Sequence, residues 1–444
     1  MKASSRDVAR AVVSRLTGTR PEEAGIVLLS AAYFFFILSA YYVLRPIRDA
    51  FGVAGGPENI PWLFTATLGG MLVAHPIFAS IVSRWPRKRF VTVTYRFFML
   101  NLLVYYLLLT GLGESPAAIW VGRTFFVWIS VFNLFVVSVF WSFMTDIYRE
   151  RQSRRLFGLI GVGGTIGGIV GSSTTAFLAE TISPPTLFWL SILLLECAVF
   201  CLKGLDRRVE VRRHRVPDPG RPPLDRPQPA DPIIGGSALD GIKRVVASPY
   251  LLGICVFMLL FTIGSTFLYN IQAGIIARTF ASLEEQTSVF ARIDLAVNTL
   301  TLLTQLFLTG RLIRWLGVGL TLALLPLISI AGFLALGAAP VFAVFVVFQV
   351  LRRAGNFALA VPAREVLYTV LPRRDKYKAK NFNDTFVYRA GDQVGAWSFA
   401  GFGALGLGTA AMAWSMAPVA AVWLGVALWL GRRQKELAGR GGSN

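Results

Sequence analysis

The sequence predicts an all-α polytopic membrane protein of about twelve transmembrane helices in two six-helix halves, with both termini cytoplasmic. Three observations carry that expectation. Of 444 residues, 55% are hydrophobic and only 15% charged, with mean hydropathy +0.59. A soluble domain is about 45–50% apolar and about 25% charged. Apolar runs recur at about 20 residues, the length a helix needs to cross the hydrocarbon core. Lys and Arg gather in alternate connections, as cytoplasmic segments do. Helices follow because lipid forces each spanning element to satisfy its own backbone hydrogen bonds. The short alternating segments of barrel strands are absent.

The spans fall in order. Residues 1–24 are polar and basic, and too long and polar to begin a short cleaved signal. Span 1 covers about 25–44 and ends in YYVLRPIRDA, where Pro46 should kink or end the helix. Arg45, Arg48 and Asp49 lie three and four positions apart there, so one helical face can carry them. Span 2 covers about 60–83 and holds His75, either a proton-relay candidate or a packing hydrogen bond. Span 3 covers about 90–111, and span 4 about 117–144 with Arg123 near its outer end. Span 5 covers about 156–178. Its Gly163, Gly167 and Gly171 recur every four residues, a face that lets helix backbones approach closely. A phosphate-cradling loop would need a preceding strand or a Gly-Lys-Ser/Thr, and neither is present. Span 6 covers about 184–203 and carries Glu196.

Residues 204–248 are basic and proline-rich, a cytoplasmic linker between the halves 25–203 and 249–431. Span 7 covers about 250–276, and span 8 about 286–308 with Arg292 and Asp294. Spans 9 to 12 cover about 317–337, 339–361, 384–407 and 410–431, before a basic tail, 432–444. Arg314-Trp315 echoes Arg84-Trp85 at an offset of 230 positions, as a six-plus-six repeat would give. With the N-terminus inside, every inner segment is rich in Lys or Arg and the outer loops are nearly free of them. That asymmetry explains most of the net charge of +20 without nucleic acid.

Charges at membrane depth point to function. In span 10, Arg352 lies roughly 18 Å along the helix from Pro340, about mid-bilayer. A charge there is costly and normally faces a wet cavity or a partner. The candidate substrate-binding cations are Arg45, Arg48, Arg123, Arg292, Arg352, Arg353 and Arg389. The candidate coupling or salt-bridge groups are Asp49, Glu196, Asp294, Asp392 and His75. Cations outnumber acids, so a cavity they line favours an anion, and arginine offers a rigid fork for phosphate or carboxylate. Asp294 is expected to pair with Arg292 or a neighbour, and Asp392 with Arg389. Such pairs can break and re-form as two halves rock around a central site.

Other chemistries find no footing. Cys197, Cys201 and Cys255 sit in apolar runs without metal-ligand spacing. No catalytic motif of the His-Glu-x-x-His or Gly-x-Ser-x-Gly kind occurs. Neither an enzyme nor a cofactor is expected. The expected partners are the lipid bilayer and a small anionic solute, a nucleotide among the candidates, with no nucleic acid.

Two resemblances sharpen this. ASIVSRWPRKRF resembles the loop between spans 2 and 3 of the major facilitator superfamily: Arg84, Arg87 and Lys88 match, while Ala79, Ser83 and Pro86 replace Gly, Asp and Gly. YYVLRPIRDA, FWSFMTDIYRERQSRRLFGLIGVGGTIGG, RIDLAVN, PAREVLYTV and DKYKAKNFNDTFVYRAGD resemble the ATP/ADP translocase-like family, and its uncharacterised bacterial branch most. That resemblance implies a major-facilitator-like fold and exchange of anionic nucleotides, and the high arginine usage suits a bacterial inner membrane. Leu44, Arg45, Arg48 and Asp49 fit the family pattern at the end of span 1, with Arg48 where exchangers carry Lys. The exchangers' acid in span 4 has no counterpart between Trp120 and Met144, and span 11 offers Arg389 and Asp392 where they use Lys. A major facilitator-type transporter of another organic anion or drug, and a non-transporting membrane scaffold, are the alternatives.

Overall fold

A computed structural model describes residues 21–84, 87–113, 115–148, 150–215, 245–371, 379–380 and 382–441. The side chains of 75, 77–84 and 87–89 fall outside the described residues, as do most of the predicted linker and much of the loop after span 10. Among the described residues the secondary structure is entirely helical.

The first helices are α1 (Pro21–Ala54), α2 (Ile60–Arg84), α3 (Arg87–Leu112), α4 (Pro116–Ile147), α5 (Glu150–Leu178) and α6 (Leu187–Arg215). Next come α7 (Pro249–Thr279), α8 (Leu283–Thr304), α9 (Gly310–Ala338), α10 (Phe342–Gly355) and α11 (Val361–Leu367). Last come α12 (Tyr388–Ala404) and α13 (Thr409–Gly441), which correspond to predicted spans 11 and 12. Nine runs among the described residues are long and apolar enough to cross a membrane, and one of them, Leu283–Ala338, is 56 residues long and covers two predicted spans. The helix does not end at Pro46: α1 continues through it to Ala54. Membrane helices tolerate such a proline when neighbours re-satisfy the freed backbone groups.

Three π-helical turns went unforeseen: Gln305–Thr309, Asn356–Ala360 and Asn383–Val387. The first joins α8 to α9 and the second joins α10 to α11. They are tied together, because Thr309 Oγ1 donates to the Ala358 carbonyl at 2.8 Å and Gln305 Nε2 to the Phe357 carbonyl at 3.3 Å. Side-chain donors thus reach carbonyls of a turn whose backbone ladder is locally disrupted. Such single turns often mark functional positions in helices.

The described residues fall into two compact units. One lies within Met1–Phe51, Gly69–Gln228 and Leu283–Leu295; the other lies within Gly52–Leu68, Pro229–Ser282 and Ala296–Asn444. The first unit is built on aromatic packing. Phe125, Phe132 and Phe140 are fully buried, Phe34 stacks on Phe140 with centroids 4.2 Å apart, and Tyr33 donates to Tyr95 at 2.8 Å. The glycine face of α5 does what its spacing suggests. A Cβ at Gly163, Gly167 or Gly171 would run into the carbonyl of Ala31, Phe35 or Ser39, each four residues along α1. The close approach permits side chain-to-backbone bonds: Ser39 donates to the Gly167 carbonyl at 3.1 Å and Thr175 to the Val43 carbonyl at 3.2 Å. In the second unit α12 packs on α7, and α13 packs along α9.

Candidate functional site

The polar groups of the first unit gather on the C-terminal half of α1. Arg45 is one turn short of Asp49, and each finds an oppositely charged neighbour. Arg45 Nη1 lies 3.1 Å from Asp294 Oδ1, so the acid of α8 pairs with α1 and not with Arg292 beside it. Asp294 is 3% exposed on its side chain and Arg45 is 18% exposed, which makes this a largely desolvated pair. Arg48 reaches Asp49 Oδ1 through Nε at 2.9 Å and Nη2 at 2.5 Å, and its Nη1 donates to Ser130 at 3.4 Å. Its guanidinium also lies 4.7 Å from the Phe126 ring centroid. Positive charge over an aromatic face is attracted by the ring quadrupole.

Three other predicted residues of this unit stand apart. Arg123 is half-buried against Trp120, at 4.6 Å from its ring. Arg292 is exposed and pairs with Glu180 at 2.8 Å. Glu196 meets Arg96 at 3.6 Å, joining α6 to α3. The side chain of His75 lies outside the described residues.

The second unit arranges its charges differently. Arg352 is 3% exposed. The apolar face of α10 places it one turn from Gln349 and directs it toward α7. There Nη2 donates to the Phe261 carbonyl at 3.0 Å and to Ser265 Oγ at 2.8 Å. Its guanidinium lies 5.3 Å from the Phe261 ring. Among the described residues its Nε finds no hydrogen-bond partner and no carboxylate lies within ion-pair distance of it. It borders a small cavity lined by Leu260, Gly264, Ser329, Phe333 and Trp423. Its neighbour Arg353 is half-buried.

On α12, Arg389 Nη1 lies 3.0 Å from Asp392 Oδ2, the i,i+3 pair that the sequence suggests. Asp392 also accepts from Thr266 Oγ1 of α7 at 2.9 Å. Gln349 Nε2 donates to Gln272 Oε1 at 2.5 Å, a buried link between α10 and α7. Beside Asp392, Gln393 accepts from Thr65 Oγ1 at 2.9 Å, and Thr65 accepts from Trp397 Nε1 at 3.2 Å. Reading charges alone missed Ser265, Thr266, Gln349 and Gln393. A search for neutral polar residues facing the charged helix side would have found them, since each lies on α7, α10 or α12 beside a predicted charge.

The sequence profile of the major facilitator superfamily matches residues 24–276. The chain belongs to the major facilitator superfamily. Among curated proteins it is similar to ADP,ATP carrier protein 1 of Chlamydia muridarum (strain MoPn / Nigg), at 22% identity over 429 residues, 82% of this chain and 79% of the relative. It is likewise similar to ADP,ATP carrier protein 2 of Chlamydia pneumoniae, at 21% identity, covering 90% of this chain and 86% of that protein. Two crystal structures share the fold. One is the nucleoside transporter NupG, with TM-score 0.59, 12% identity and coverage of 93% and 99%. The other is an auto-inhibited POT family peptide transporter, with TM-score 0.60, 14% identity and coverage of 91% and 96%. This superfamily member is an integral, multi-pass membrane transporter and not an enzyme.

Proposed function

We propose that this transporter moves an anionic solute by alternating access, and that the solute is a nucleotide taken up in exchange for another. The observation that carries the proposal is Arg352: a buried guanidinium with a free Nε and no carboxylate in reach among the described residues. Burying an unmatched charge is expensive, so its retention at membrane depth argues for an anion that matches it in turn. The similarity to ADP,ATP carrier proteins supports the nucleotide. In this reading Arg353 and Arg389 of the same unit assist with the solute's charge, and Asp392 holds Arg389 between cycles. The nine apolar runs, the 56-residue one counting as two, make ten spans; this reading adds α2 and α12 for twelve, with both termini in the cytoplasm of a bacterium and the protein in its inner membrane.

A second reading, another organic anion, draws on the α4 segment from Trp120 to Met144, which has no acid. One experiment separates them. Purified protein in detergent is melted against ATP, ADP, other nucleotides, sugar phosphates and carboxylates. A ligand that binds the folded state stabilises it by about 2.7 kcal/mol at a hundred times its dissociation constant. Stabilisation by nucleotides, lost in Arg352→Ala and matched by exchange in proteoliposomes, is the expected outcome. A response confined to another anion removes the nucleotide and keeps the transporter. Silence across the panel overturns the anion reading.

A further inference from the structure

Gly319 of α9 and Gly431 of α13 touch backbone to backbone, and a Cβ on either would strike the other. That crossing brings the start of α9 beside the end of α13. The backbone of α9 turns at Gly317, where φ is 73°, a conformation that suits glycine. A Cβ at Gly317 would lie 3.7 Å from Lys435 Cε. Arg311, Arg314 and Trp315 lie before the turn, Lys435 lies beside it, and Arg432 and Arg433 directly follow Gly431 of the crossing. Trp315 is 72% exposed. Glu436 is paired with Arg433 at 2.5 Å. Among the described residues no carboxylate lies within ion-pair distance of Arg311, Arg314, Arg432 or Lys435.

The faces leading to this cluster are apolar and open. Leu320, Leu327 and Leu334 follow one another at seven-residue spacing along α9, at 52%, 48% and 48% exposure. Val422 and Trp429 do the same on α13, at 60% and 42%. A long apolar stripe thus ends on a dense, uncompensated positive patch with an indole at the boundary. Tryptophan favours the headgroup level of a bilayer, and basic patches at that level recognise anionic headgroups.

We propose that the α9–α13 crossing is a binding site for an anionic phospholipid, its acyl chains on the leucine stripe and its phosphate held by Arg314, Arg432 and Lys435. The complementarity is double, apolar to chain and cation to phosphate, which favours a lipid over a soluble anion. The site holds whatever solute is carried.

The test uses full-length protein in nanodiscs of phosphatidylcholine with increasing phosphatidylglycerol. The variants are Arg314→Gln/Arg432→Gln/Lys435→Gln and, as a control removing equal charge from α6, Lys203→Gln/Arg207→Gln/Arg208→Gln. Phosphatidylglycerol should raise the Tm of the native protein and of the control, and leave the first triple variant at its phosphatidylcholine value. Each cation near an anionic surface is worth roughly fivefold in affinity. The native protein extracted in neutral detergent should therefore retain at least about tenfold more phosphatidylglycerol than that variant. Equal gains in both triple variants, equal losses in both, or the same Tm rise from soluble glycerol phosphate would overturn the site. Should the first triple variant melt early in phosphatidylcholine alone, Arg432→Gln and lipid retention by the native protein decide instead. Retention of phosphatidylglycerol no greater than of phosphatidylcholine also overturns it.

Discussion

The two units handle buried charge in opposite ways. In the first, each deep arginine on α1 meets an acid: Arg45 at 3.1 Å from Asp294, Arg48 bound to Asp49. In the second, Arg352 is more fully buried, and among the described residues it meets a carbonyl, a hydroxyl and an aromatic ring but no acid. The physical consequence differs. A paired guanidinium has most of its field cancelled and can receive an anion only by releasing its acid. One held by neutral dipoles keeps its charge uncancelled in a medium of low dielectric, where Coulomb terms are large. The first arrangement favours switching and the second favours binding. Arg389 stands between them, because its partner Asp392 is shared with Thr266.

The sharpest way to break that contrast is Arg352→Met. Methionine keeps the length and apolar contacts of the side chain and removes the charge. Replacing a buried charge by an apolar group of similar size is often neutral or stabilising. The expected result is a Tm unchanged or raised, while exchange in proteoliposomes falls by at least about a hundredfold. That fall corresponds to roughly 2.7 kcal/mol of lost interaction, in the range of a hydrogen bond to a charged group. A variant that transports normally would show that Arg352 is a packing residue.

Asp294→Asn probes the other side. It removes one member of a desolvated pair and leaves Arg45 facing a neutral amide. Breaking such a pair typically costs about 3–5 kcal/mol, because the remaining charge stays buried. Arg45 keeps some contact with solvent, so a loss near about 3 kcal/mol is expected by thermal or chemical melting. The double variant Arg45→Gln/Asp294→Asn should recover much of that loss. If the single variants and the double variant add without coupling, the two groups do not interact as described.

Much of this contrast is legible in the chain, and what is not has a physical reason. Arg352 at mid-span follows from helical rise alone, and the Arg389–Asp392 pair from a three-residue spacing. The fit of α5 against α1 follows from glycines at every fourth position, because a missing Cβ predicts a near backbone without naming it. The partner of Asp294 does not follow. Arg292 is near in sequence but stands on a different side of α8, and it turns outward to Glu180. Arg45 becomes the partner only through tertiary packing. The π-helical turns are equally hidden, since they depend on donors such as Thr309 arriving from another segment. The uninterrupted α1 shows the same effect, with packing overriding the local preference of Pro46.

Arg292→Gln should have the smallest effect, and it sharpens the comparison from outside the buried sites. Arg292 and Glu180 are 62% and 49% exposed on their side chains, yet their 2.8 Å separation is shorter than the 3.1 Å between Arg45 and Asp294. If proximity set the energy, Arg292→Gln would cost more than Asp294→Asn. Solvent screening reverses the order, because an exposed pair is worth at most about 1 kcal/mol and weakens further with salt. The expected outcome is a loss below about 1 kcal/mol that shrinks as ionic strength rises, with transport close to native. A loss as large as that of Asp294→Asn, insensitive to salt, would mean that Arg292 lies in a desolvated environment and belongs with the buried cations. Melting both variants across a salt series therefore ranks the two pairs by solvent access, independently of any assay of transport.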